Sequence, residues 1–454
     1  MASRVVSHLR ATFDTGRTRA LEWRRDQLGR LDTLLRDHED ELTAALTADL
    51  GKSAFEGYST ELGLVRTEIA YALAHLDEWA KPVRVRPSIA QRPGRVYTLA
   101  EPKGVALVIG AWNYPVQLSL LPLAAALAAG NCVVVKPSEV SATTSSTIAR
   151  LLARYLDADA VAVVEGGVDE TTALLGEQFD HIFYTGNGRV GRLVMQAAAE
   201  HLTPVTLELG GKSPAIVDRR ANLRVAARRI AWGKYLNAGQ TCIAPDYVLV
   251  DASIEHHFLT EVVRAIHEFY GDDPLQSPDY GCIINQHHFG RLVSYLGDGV
   301  VVEGGVSDAA ARYIAPTVLT DVDTAAPVMI EEIFGPILPV LPVASTADAI
   351  DFVNGRDKPL ALYVFSDDVD TAHSVLARTS SGGACVNATL LHMAAPNVPF
   401  GGVGPSGMGR YHGYAGFETF SHVKSVYERP ARPDLPLAYP PYGRIKRALL
   451  RRFL

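Results

Sequence analysis

Five short apolar runs punctuate residues 105–208: Val105-Ala-Leu-Val-Ile109, Cys132-Val-Val-Val135, Val161-Ala-Val-Val164, His181-Ile-Phe-Tyr184 and Pro204-Val-Thr-Leu207. Runs this short and this apolar are strands buried on both faces. Their alternation with helical stretches calls for a parallel sheet covered by helices on each side. In such sheets ligands sit beyond the carboxyl ends of the strands. The polar residues at those ends are Asn113, Lys136, Ser138, Glu139, Thr185, Gly186 and Glu208, and they mark where a cofactor is expected.

The remaining organisation follows from pattern. Residues 3–50 carry helical periodicity, with Leu28, Leu31, Leu34 and Leu35 on one face. A Pro- and Arg-rich passage at 81–95 leaves that pattern as an excursion from the core. A second α/β region spans about 209–395, a Gly-rich loop covers 400–409, and the tail is rich in Pro and basic residues. With 454 residues the chain has material for two to four domains.

Composition excludes several classes. A net charge of −7 provides no basic field for nucleic acid. The four cysteines, Cys132, Cys242, Cys282 and Cys385, are far apart and form no CxxC pair or zinc spacing, so reduced thiols in a cytoplasm are expected and no metal site. Residues 1–30 lack the apolar core of a secretory leader, and the apolar run 118–130 is too short for a bilayer and reads as a buried helix.

Several motifs carry chemistry. Gly239-Gln-Thr-Cys242-Ile-Ala-Pro245 presents one cysteine among small residues, either a thiolate nucleophile, partly ionised near neutral pH, or an inert buried thiol. Gly186-Asn-Gly-Arg-Val-Gly191 matches the GxGxxG phosphate fingerprint but follows the fourth strand of the unit rather than the first. Its helix N-terminus still suits an anion. Glu208 ends an apolar strand, where burial would raise its pKa and make it a usable base; the alternative is a surface carboxylate capping the Gly-Gly turn. Asn113 stands before a helix that begins at Pro115, either as an oxyanion donor or as an N-cap. Lys136 and Glu139 grip a ribose or form a solvated pair. Glu331, Glu332 and Phe334 share one turn, where a carboxylate could hold a second ribose or all three could be structural.

In this order the motifs resemble the aldehyde dehydrogenase superfamily: Trp112-Asn-Tyr-Pro, Lys136-Pro-Ser-Glu, Tyr184-Thr-Gly, Leu207-Glu-Leu-Gly-Gly-Lys, Gly239-Gln-Thr-Cys, Glu332-Ile-Phe-Gly-Pro and Pro399-Phe-Gly-Gly. The stretch from Ser406-Gly-Met-Gly-Arg-Tyr-His-Gly413 to Phe417-Glu-Thr-Phe-Ser-His422 resembles the class-three branch, whose members act on fatty and aromatic aldehydes. The resemblance implies a Rossmann-like cofactor domain (1–80 and 96–208), a catalytic domain (209–395) and an oligomerisation element (81–95 and 415–430) that makes a homodimer. It implies Cys242 as nucleophile, Asn113 and the Cys242 N–H as oxyanion donors, and Glu208 as the base for thioester hydrolysis. For the cofactor it implies Lys136, Ser138, Glu139, Gly186, Asn187 and Gly191 on the adenosine and pyrophosphate side, and Glu332 with Phe334 at the nicotinamide ribose. Many members carry Ser where Asn187 stands. Glu139 would repel a 2′-phosphate, which favours NAD, although NADP is also used by relatives with this residue. Tyr114, Trp232, Tyr235 and Leu391 are either the lining of an apolar substrate pocket or core residues.

Two other readings compete. An acylating enzyme would use coenzyme A, but Glu208 argues for water. A catalytically inactive binding protein would have no need of Cys242, Glu208 and Asn113 together. The tail, 431–454, ends in a basic and apolar stretch from Arg444, which is either a packed helix or an amphipathic contact with anionic membrane.

Overall fold

The computed structural model describes residues 2–88, 91–434 and 439–453; residues 89–90 of the 81–95 excursion, and 435–438 and 454 of the tail, lie outside these. The apolar runs become the strands Val105–Ile109, Cys132–Lys136, Val161–Val163, His181–Thr185 and Val205–Glu208, all parallel to their neighbours. Strand Val105–Ile109 lies between Cys132–Lys136 and His181–Thr185, so the chain winds outward one way, returns, and winds out the other. The reversal lies between the first and fourth strands. This explains the displaced GxGxxG: the fourth strand flanks the switch point, where doubly wound sheets bind nucleotides.

Side chains in these strands alternate between two cores, as a period of two requires. Val105, Leu107 and Ile109 pack with Val6, Leu9 and Phe13 of the helix Ala2–Asp14. Ala106 and Val108 pack with the helix Pro115–Ala129, every residue of which is buried. That helix, expected from the run 118–130, starts with proline and stops at Gly130 in the left-handed conformation, φ 92°.

A second sheet of seven strands has the order Val300–Glu303, Thr317–Thr320, Ile337–Val343, Tyr247–Asp251, Pro214–Val217, Ala361–Phe365, Gly383–Val386, and only the first pair is antiparallel. It faces the first sheet in an unexpected sense. The first sheet offers the carboxyl ends of its strands to the cleft, at Asn113, Gly186 and Glu208. The second offers segments that lead into its strands: Lys212 before Pro214, Cys242 before Tyr247, and Glu332 before Ile337. A third sheet of three antiparallel strands, Val83–Val85, Arg95–Pro102 and Ser421–Glu428, stands apart from both.

The Gly-rich segment is not only a loop. Gly407–Met408 pairs antiparallel with Leu207 and Glu208, closing the free edge of the first sheet at the base candidate. The glycines are required by close approach, because a Cβ on Gly407 would collide with the Leu207 carbonyl and one on Gly402 with the Ser406 carbonyl. The loop thereby brings Phe400 and Tyr411 together as a bridge beside the cleft. Gly407→Ala should cost ~1–3 kcal/mol of stability through overpacking against backbone. Thermal denaturation reads this, and an unchanged Tm would show that the edge has room.

Candidate active site

Helix Leu223–Tyr235, capped at its start by the Asn222 side chain, delivers the chain to the cysteine turn. Asn237, Ala238 and Gly239 then follow one another in the left-handed region, at φ 54°, 49° and 75°. Asn tolerates this conformation and Gly adopts it freely, but Ala238 is strained, a state that persists only when its surroundings over-determine it. Here they do. Asn237 Nδ2 donates to the Asn113 carbonyl (2.8 Å) and the Gln240 carbonyl (3.1 Å). Gln240 Nε2 donates to the carbonyls of Asn237 and Cys282, each at 3.0 Å, while its Oε1 accepts from the Ile284 N–H at 2.9 Å. The glutamine before the cysteine is thus a fully used structural clamp.

Cys242 is partly buried, and its resting state differs from the expected one. Burial, with the carboxylates of Glu332 and Glu208 nearby, pushes its thiol up to about 12, so it rests protonated rather than partly ionised. Glu208 is buried with neither carboxyl oxygen hydrogen-bonded, and burial holds its pKa well above the ordinary carboxylate range. A surface carboxylate capping the turn is therefore excluded. Glu332 is likewise enclosed, its Oε1 unpartnered and its pKa raised to about 8, chiefly by burial. Its turn is tied down by the Lys212–Asp246 ion pair: Lys212 Nζ donates to the Glu331 carbonyl (2.8 Å), and Asp246 Oδ1 accepts from the Ile333 N–H (2.9 Å).

Asn113 is buried, and its side-chain Nδ2 donates to the Gln240 carbonyl at 3.0 Å, two residues before the thiol. It is not the N-cap of the helix that follows. Glu61 fills that role, its Oε2 accepting from the N–H groups of Val116 (2.8 Å) and Gln117 (3.3 Å). One amide hydrogen of Asn113 thus remains without an assigned partner. Tyr114 is fixed as well, its hydroxyl 2.6 Å from Thr241 Oγ1.

The cofactor-side candidates line the ends of the first sheet. Lys136 is buried, and its ammonium donates to the Pro137 carbonyl (2.9 Å) and to Glu139 Oε2 (3.2 Å), whose side chain is half exposed. Ser138 Oγ accepts from the Val140 N–H at 3.3 Å. Gly186 leaves no room for a Cβ beside the Tyr184 hydroxyl, and Gly191 brings its helix close against Leu209. Asn187 Oδ1 accepts from the Val190 N–H at 3.0 Å as the cap of helix Gly188–Glu200, and its Nδ2 stays available to donate beside the helix N–H groups. Phe334, at φ 50°, stands edge-on to Trp112 with centroids 5.3 Å apart. A buried ammonium, an orphaned buried carboxyl oxygen on Glu332 and a glycine cradle fit a dinucleotide with two riboses. Among them Lys136 and Glu139 suit one sugar, and Glu332 the other.

Beside Cys242 opens a cavity of about 200 Å³ whose walls include Tyr114, Trp232, Leu391, Met393, Phe400 and Tyr411. Tyr114, Trp232 and Leu391 were legible in the sequence. Tyr235 is instead core, donating to the Thr317 carbonyl. Phe400 and Tyr411 were missed, because only the tight Gly-rich loop brings them there.

Two facing doubly wound sheets with a thiol and unpaired carboxyls between them define a nucleotide-linked oxidoreductase. The family model "Aldehyde dehydrogenase family" matches residues 2–426. The dimeric NADP-preferring aldehyde dehydrogenase of Canis lupus familiaris is 50% identical over 443 residues, 97% of each chain. Aldehyde dehydrogenase family 3 member A2 of Pongo abelii is 49% identical, covering 97% of this chain and 91% of its own. The substrate-bound structure of Staphylococcus aureus AldH superposes with a TM-score of 0.98 at 43% identity over the whole of both chains. The chain belongs to the aldehyde dehydrogenase family, with class-three relatives at about half identity. It oxidises aldehydes with NAD(P) as cofactor.

Because the Cys242 thiol is raised to about 12, its alkylation by iodoacetamide should climb with pH well beyond the range where a free thiol, of pKa ~8.5, has levelled off. Rates mapped to Cys242 by mass spectrometry check this; a plateau near neutral pH would show a resting thiolate.

Proposed function

We propose that Cys242, Asn113 and Glu208 carry the oxidation, and that the product is a free carboxylic acid. The observation that carries this reading is that three groups from separate segments lie together: Cys242 lines the cavity, the Asn113 amide donates to the carbonyl two residues before it, and the unpaired buried carboxyl of Glu208 is near enough to raise the thiol. Cys242 gives up its thiol proton to solvent, and Sγ adds to the aldehyde carbon to give a thiohemiacetal. The Asn113 side-chain amide and the Cys242 N–H hold its oxyanion. NAD(P), held by Lys136, Glu139 and Glu332 with the helix that starts at Gly188, supplies a hydride acceptor. The thioester left on Sγ is hydrolysed by water whose proton Glu208 takes, and the thiol is restored. Burial keeps Glu208 neutral at rest, so its work as a base requires losing that proton first, and deacylation rises with pH.

The substrate is an apolar aldehyde of medium or long chain, or an aromatic one. Support comes from the lining of Trp232, Leu391, Met393 and Phe400. The cofactor and catalytic domains are read as 1–80 with 96–208, and 209–395. The reading favours NAD with NADP also accepted: the half-exposed Glu139 carboxylate suits a ribose 2′-hydroxyl.

Glu208→Gln should release a burst of reduced cofactor and then nearly stall, with steady turnover lower by about 10²–10⁴-fold. Cys242→Ala should give no burst. Normal turnover of the first variant would refute the base, and a surviving burst in the second would move the nucleophile elsewhere.

The chain works as a cytoplasmic homodimer through the three-stranded sheet, supported by exposed apolar side chains there: Val83, Val85, Val423 and Tyr427. Among the described residues no helix is long and apolar enough to cross a membrane. The tail helix Arg444–Phe453 bears Arg444, Lys446, Arg447 and Arg451 with an exposed Ile445, and it rests on anionic lipid surfaces. Truncation before residue 440 should abolish flotation with anionic liposomes yet leave a dimer in sedimentation equilibrium. Unchanged flotation would remove the membrane contact, and a monomeric full-length chain would remove the dimer.

A further inference from the structure

Beside the cleft, but outside the lining of the cavity, lies an ion pair that the chemistry above does not use. Lys52 Nζ is 2.6 Å from Glu61 Oε1, and both side chains are wholly buried. The remaining ammonium contacts point toward the reacting centre. Nζ donates to the Asn113 carbonyl at 2.9 Å and lies 3.9 Å from the centre of the Tyr114 ring. Glu61 uses its second oxygen on the N–H groups of Val116 and Gln117, at the start of the helix that follows Asn113.

Each donor of the ammonium is thus occupied, and each contact ends on residues 113–117 or on the carboxylate that holds them. Asn113 and Tyr114 in turn touch Gln240 and Thr241, immediately before the thiol. A buried pair of this kind contributes little net stability over apolar replacements, and its best-attested use is to specify one arrangement. Here the arrangement specified is the aim of the Asn113 amide.

We propose that Lys52, held by Glu61, is the positioning residue of the oxyanion site, orienting Asn113 relative to Cys242 without touching substrate. This rests on the reading of Asn113 as the oxyanion donor. A donor in an oxyanion site is worth ~10²–10³ in rate, and displacement of about 1 Å costs ~10²-fold. Loss of the anchor should therefore slow steps that build an oxyanion and spare steps that do not.

Two probes of the same sulfur separate these. Attack of Cys242 on p-nitrophenyl acetate passes through a tetrahedral oxyanion, forming the S–acyl bond and expelling p-nitrophenolate. Iodoacetamide is displaced at saturated carbon, with iodide leaving and no oxyanion formed. The pair should be replaced together, as Lys52→Met with Glu61→Gln, because removing one partner strands a buried charge. The glutamine oxygen keeps an acceptor for Val116 and Gln117.

The double variant should acylate about 10–100-fold more slowly, with iodoacetamide labelling of Cys242 unchanged. Asn113→Ala should slow acylation by ~10²-fold. Combining all three changes should be no slower than Asn113→Ala alone, since the anchor acts only through that residue. If Asn113→Ala acylates normally, the oxyanion reading itself fails. If Asn113→Ala is slow but the double variant is not, or if the effects multiply, Lys52 does not act through Asn113 and the proposal is overturned. Slower labelling by iodoacetamide in the double variant would show general disorder of the thiol and overturn it equally. Should the double variant not fold, Lys52→Arg keeps the charge facing Glu61 but changes the reach to the Asn113 carbonyl. It should slow acylation selectively, and equal slowing of both probes would refute positioning.

Discussion

The hydrogen bonds from Asn113 Nδ2 to the Gln240 carbonyl, 3.0 Å, and from Asn237 Nδ2 back to the Asn113 carbonyl, 2.8 Å, tie the two sheets together across the cleft. Asn113 leaves the first sheet beside its switch point, and Gln240 belongs to the strained turn that leads into a central strand of the second. Because the sheets meet carboxyl ends to leading ends, Gly186 and Glu208 of the first face Cys242 and Glu332 of the second across the cleft. The left-handed run from Asn237 to Gly239 is the local cost of that arrangement. Asn237 and Gln240 repay it with hydrogen bonds that leave their side-chain amide nitrogens no freedom to drift.

Electrostatically, the cleft keeps its acids neutral. Cys242, Glu208 and Glu332 are all raised by burial, and isolated charges in such surroundings are unfavourable. Cations occupy the periphery, at Lys136 toward the cofactor cradle and at Lys212 beneath the Glu332 turn.

The first sheet was legible because strands buried on both faces leave unmistakable apolar runs, and Asn113, Glu208 and Cys242 stand at their ends or in a small-residue turn. Lys52 and Glu61 were not, since a single charged residue outside any motif reads as solvated unless its neighbours across the fold are known. Cys242's ionisation was equally hidden, because composition around a cysteine says nothing of how far the fold buries it or which distant carboxyls approach it. The reach of the Gly-rich loop, which sets Tyr411 and Phe400 in the pocket wall, depends on backbone clearances that no pattern of residue types reveals.

The raised thiol has a consequence for an enzyme whose substrates are toxic electrophiles. A permanently ionised sulfur would be consumed by peroxide and by any stray alkylating metabolite, since the oxidation ladder of cysteine begins at the thiolate. Burial raises the Cys242 thiol to about 12, and a thiol held in its protonated form enters that ladder slowly. The enclosure that shapes the cavity wall thus also sets how readily a stray oxidant finds the sulfur in its reactive form.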